Sequence, residues 1–167
     1  MNGIPMNLLQ MLRLRGGPQN LPTSWLLMIV LLSAYLVQNL VTGQQLDDQN
    51  AAAKSLLAIC MQVVVLIGLL IWRKHPERFA QTMSALAAMG IFFNMITWAL
   101  LSMSDPTLNQ PILALIWFAV FIWSLFVDAH IYRNSLSVPF AIGMLVTVLI
   151  LAASYVLIEM VFIFGNT

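Results

Sequence analysis

The sequence predicts an all-α, polytopic membrane protein: a bundle of five transmembrane helices, preceded by a short segment with room for an in-plane N-terminal helix. Three observations carry this. Of 167 residues, 61% are hydrophobic and only 8% charged. A soluble domain carries about 25% charged residues, so this chain cannot coat a solvated surface, and its apolar content excludes disorder. The apolar residues fall in five runs, each close to the roughly 20 residues that cross a bilayer core of about 30 Å. The connections between runs are too short to hold a soluble domain.

In chain order, residues 1–24 form a cytoplasmic N-terminal segment, and residues 25–164 form one five-helix domain. Within the first, Leu8, Leu9, Met11, Leu12 and Leu14 cluster, with Gln10, Arg13 and Arg15 interspersed. So short a stretch cannot span, but it can lie along the interface or dock a partner; the plainer reading is an apolar leader. Gly16-Gly17-Pro18 is expected to end it. The spans are read at Trp25–Thr42, Ser55–Trp72, Phe79–Met103, Ile112–Val127 and Val138–Phe164. The fourth is expected to continue through Asp128 to His130, and the fifth to tilt. The first is too long and too far behind Arg13 and Arg15 for a cleaved signal peptide.

Orientation follows from Lys and Arg, which gather on the cytoplasmic side. With the N-terminus inside, Arg13, Arg15, Arg73, Lys74, Arg78 and Arg133 are cytoplasmic and Lys54 alone is outside. The loop with Asp47 and Asp48, the Ser104-Asp105-Pro106 turn and the C-terminus then face the opposite side. The net charge of +1 gives no reason to expect nucleic acid. The lone Cys60 excludes a disulfide framework.

Two polar groupings stand out. Glu159 is the one carboxylate well inside an apolar run, and at mid-bilayer an acid costs about 2.5–3.5 kcal/mol by insertion measurements. Gln38, Asn39, Gln62 and Asn94 lie at similar depth in three other spans, so together they form a candidate intramembrane polar layer. Such a layer can serve as a protonatable site or small cavity; interhelical hydrogen bonding is the preferred reading. At the cytoplasmic edge, Asp128, His130, Tyr132 and Arg133 form a second candidate cluster. Asp128 and Tyr132 share a face by i,i+4 spacing, and His130 lies on another. Boundary anchoring explains this cluster better than ligation does. His75, beside Pro76 in a tight turn, and His130 are not expected to hold haem or a metal, and no cofactor is expected.

No phosphate-cradling loop or nucleophile motif is present, so catalysis has no carrier in the sequence. Ala80, Ser84 and Ala88 make a small-residue stripe suited to close helix packing, either within the bundle or against a partner. Trp117, Phe118, Phe121, Trp123 and Phe126 surround the fourth span, which suits lipid or an apolar partner.

Five spans, short loops and a cytoplasmic N-terminus resemble the Yip family of small five-span membrane proteins. Three stretches carry the local likeness to its uncharacterised bacterial members: Gly17-Pro18-Gln19-Asn20-Leu21-Pro22, Arg78 to Leu86, and Asp128 to Arg133. The resemblance implies a bacterial inner-membrane protein and transfers no catalytic residue. The eukaryotic members' long cytosolic region that contacts Rab-type GTPases has no counterpart of that length here.

The expected function is therefore non-enzymatic: a scaffold or accessory subunit that packs against lipids, a membrane-protein partner or further copies of itself. The alternative is a small carrier or channel-like protein using the layer around Glu159. The topology has a direct check. In a Cys60→Ser background, a cysteine at Asp105 should react with an impermeant reagent only from outside the cell; labelling solely from the cytoplasm would reverse the orientation.

Overall fold

Helix starts in this chain follow local chemistry. Ser24 Oγ accepts from the Leu27 amide at 3.2 Å, a side-chain N-cap at the head of the first long helix. Proline occupies the first turn of two other helices, where its missing donor costs nothing. The computed structural model describes residues 3–46, 50–105 and 110–162. Its helices are α1 (Ile4–Leu12), α2 (Trp25–Gln45), α3 (Ala51–Trp72), α4 (Phe79–Ser102), α5 (Pro111–Leu136) and α6 (Phe140–Phe162), with 3-10 turns at Pro18–Asn20 and Pro76–Arg78. The described residues hold no strand, and five helices are long and apolar enough to cross a membrane. The protein is an all-α, multi-pass membrane bundle. Asp47, Asp48, Pro106 and the stretch from 163 to the C-terminus lie outside the described residues.

Neighbouring helices close a ring in the order α2, α4, α5, α6, α3 and back to α2. The tightest joint is between α5 and α6. A Cβ on Gly143 would overlap the Ala129 carbonyl oxygen and crowd the backbone of Arg133, so only glycine permits this approach. Pro139, expected inside the last span, instead stands before α6, and its carbonyl accepts from the Ile142 and Gly143 amides. The most enclosed helix is α4, because it has ring neighbours on two sides and the N-terminal segment behind it. Ala80, Ser84 and Ala88 are all buried, so the small-residue stripe is used inside the bundle.

The largest departure from the expected boundaries is at α5, which runs to Leu136 rather than ending near His130. Its last carbonyls have no intrahelical donors, and two arginines supply them. Arg73 Nε donates to Leu136 O at 3.0 Å and Arg73 Nη2 to Ser137 O at 3.2 Å. Arg78 Nη1 lies 3.2 Å from both Asn134 O and Ser135 O and donates to Ser137 Oγ at 2.8 Å. Ser137 closes the helix with φ 53°, a left-handed cap in a non-glycine residue. Below the cap, Thr82 Oγ1 meets Ser135 Oγ at 2.9 Å, and the Ser135 hydroxyl donates to Ile131 O at 2.8 Å.

The N-terminal segment folds onto α4 and α5 rather than standing apart. Met11, Gly16, Gly17, Pro18 and Leu21 are buried. Side chains of the spans hold its backbone: Gln81 Nε2 donates to Leu21 O at 2.7 Å, Trp123 Nε1 to Leu12 O at 3.3 Å, and His130 Nε2 lies 2.8 Å from Gly16 O. Asn7 Nδ2 closes the hairpin on Asn20 O at 2.7 Å. The glycines do not end α1 by adopting positive φ; Leu14 does, at 57°, and Gly16 and Gly17 serve where the chain is enclosed.

Arg78→Ala removes a half-buried guanidinium from the carbonyl end of α5. The expected loss is about 1.5–3 kcal/mol of stability, the range for hydrogen bonds to a charged group. Arg78→Lys, which keeps the charge but loses the fork, should fall between. Thermal unfolding in detergent reads both.

Candidate functional site

A ring of five helices leaves space at its centre. The structure contains a cavity of about 510 Å³ lined by residues from all five spans. Most of its wall is apolar, contributed by residues such as Leu32, Met83, Leu86, Phe93 and Ile150. The polar part is concentrated on particular faces. Tyr35 and Asn39 stand four apart on α2, and Asp128 and Tyr132 four apart on α5, so each pair presents one face to the cavity. Gln62, Asn94 and Ser154 enter from α3, α4 and α6.

Each amide reaches a neighbouring group. Asn94 Nδ2 donates to Asn39 Oδ1 at 3.2 Å and Asn39 Nδ2 to Tyr35 O at 3.0 Å, and the one Thr42 hydroxyl proton is shared between Gln38 O and Asn94 Oδ1, the latter 3.3 Å away. Gln62 Nε2 donates to Tyr132 Oη at 3.2 Å. The Asp128 carboxylate differs. It is partly buried and forms part of the cavity wall. Among the described residues no donor is hydrogen-bonded to it. Asp128 lies eight residues from the end of α5, about 12 Å along the axis at 1.5 Å per residue.

The two sequence groupings are thus redistributed. Of the polar layer, Asn39 and Asn94 pair directly, and Gln62 reaches Tyr132 instead. Gln38 contributes its carbonyl to Thr42 Oγ1 at 3.1 Å. Glu159 follows Ile158, a lining residue, but is not itself part of the wall. Of the edge cluster, Asp128 and Tyr132 belong to the cavity, His130 points the other way to Gly16, and Arg133 is exposed. His75 Nδ1 lies 3.2 Å from Glu77 Oε1 in the turn between α3 and α4. Tyr35 was missed by sequence reasoning. Its signal was the repeated four-residue spacing of a tyrosine with a polar partner on an otherwise apolar span. Gly90 faces the Tyr35 ring, where a Cβ would come within 2.7 Å, so the ring lies against the α4 backbone.

Asn94→Leu should lower stability by about 0.6–1.7 kcal/mol, the range for interhelical hydrogen bonds in membranes. Adding Asn39→Leu should cost less than the sum of the two single changes, because both delete one bond; additive losses in thermal unfolding would mean the pair is not coupled. In comparison with known proteins, the chain matches no family model, no curated protein and no solved structure.

Proposed function

We propose that the protein is a small membrane carrier that holds a polar solute in the cavity between its five helices. The observation that supports this reading is the unpartnered Asp128 carboxylate in the wall of the central cavity. A polar group placed only to join helices is expected to reach a neighbour, as Asn39, Asn94 and Gln62 do. A carboxylate left unpaired inside a span costs free energy that its fold does not recover, which is the pattern of a functional group. This is the carrier alternative with Asp128, rather than Glu159, as its central acid. Under the same proposal the end bearing Arg73, Arg78 and Arg133 is cytoplasmic, and the membrane is a bacterial inner membrane, supported by charge asymmetry and by the Yip-type layout. The scaffold reading is what remains if the cavity admits nothing.

The test is solvent access. Thiols react through the thiolate, which needs water. In a Cys60→Ser background, Ser154→Cys on the cavity wall should react with methyl methanethiosulfonate much faster than Val148→Cys, an exposed α6 position outside the lining. Equal, slow reaction at both positions would close the cavity to solute and leave the scaffold.

A further inference from the structure

The cavity's chemistry also narrows what it can hold, an inference that rests on the carrier reading. We infer that the cavity takes a small organic monocation, an alkyl- or arylammonium, with Asp128 as its counter-charge and tyrosine rings as its walls. Four observations lead there.

The first is charge. Among the described residues Asp128 is the only ionic side chain in the wall, and no Lys, Arg or His lines the cavity. A carboxylate in apolar surroundings requires a compensating positive charge or a proton. None of the lining side chains supplies the positive charge, so a cationic solute can supply it in place of a proton.

The second is hydrogen-bond capacity. The nearby amides each direct an N–H to a neighbour rather than to Asp128: Gln62 to Tyr132, Asn94 to Asn39, and Asn39 to the Tyr35 carbonyl. An anionic solute would meet the like charge of an unpaired carboxylate. A cation, with or without its own N–H groups, meets the acceptor that is available.

The third concerns bare metal ions. Among the described residues no group of three His, Cys, Asp or Glu side chains could hold one. Asn39 Oδ1 already accepts from Asn94 Nδ2, and Asn94 Oδ1 lies 3.3 Å from the Thr42 hydroxyl. Divalent hard cations take about six to eight oxygen ligands, and a single lining carboxylate leaves most of that shell to neutral groups and water.

The fourth is shape. A volume of about 510 Å³ falls in the range of sites that enclose small organic ligands. Tyr35, Phe93 and Tyr132 supply aromatic surface in the same wall as Asp128. Aromatic faces attract organic cations, most strongly where water is excluded.

The experiment uses the full chain in mild detergent with tritiated benzyltrimethylammonium as probe, measured by equilibrium dialysis. Saturable binding to one site per chain is expected. Asp128→Asn should weaken it by about tenfold or more, the cost of losing a charge-paired contact. Asp128→Glu, which keeps the charge, should retain most of it, and thermal unfolding of each variant shows whether it is folded. Benzoate and benzyl alcohol should not compete with the probe at concentrations where unlabelled probe does. Binding that survives in folded Asp128→Asn, or equal competition by benzyl alcohol, would overturn the inference while leaving the carrier reading in place. Absence of saturable binding to the unaltered protein would also overturn it; the carrier reading then stands or falls separately on the Ser154→Cys labelling.

Discussion

The arrangement of this bundle depends on how α5 ends. An α-helix leaves its final carbonyls without donors, and here the helix continues well beyond its continuous apolar run. Arg73, from the end of α3, and Arg78, from the turn into α4, meet those carbonyls with charged donors. Their positive charge also complements the negative end of the helix dipole. One cap therefore ties the ends of three ring helices together. It lengthens α5 enough to carry Asp128 a dozen or so ångströms inside the helix, about 12 Å at the usual rise.

From that constraint the central cavity follows. The α5–α6 pair is fixed by the close backbone approach at Gly143, and α4 is held between α2 and α5. Once contacts run round a ring, side chains facing its centre are not all filled by a neighbour, and the space collects polar groups that would be costly against lipid. The amides there reach one another, a backbone carbonyl or Tyr132. Asp128 is left over, and this asymmetry separates the structural members of the polar set from the one with chemistry to offer.

The N-terminal segment shows how irregular backbone is tolerated beside apolar helices. Its carbonyls at Leu12, Gly16 and Leu21 each meet a side chain from a span. His130 and Trp123 thereby act on the outer side of α5, while Asp128 and Tyr132 act on its inner side. A single helix serves two separate surfaces because its polar residues are distributed on different faces along the 3.6-residue period.

Composition and the lengths of the apolar runs determined the class of the protein, the number of spans and most of their starts, because crossing hydrocarbon demands long, nearly uncharged helices. Trp25 and Phe79 begin helices where the apolar runs begin, and Trp72 ends one where a run stops. Run length misled at α5, since Asp128, His130 and Arg133 read as a boundary. Only the tertiary structure shows Asp128 turned inward, His130 bound to Gly16 and the helix end carried onward by two arginines. The polar layer was legible as residue types but not as partners. Depth along a span can be counted from sequence; the rotation of each helix about its axis is set by packing against its neighbours, and that rotation decides which polar residues meet.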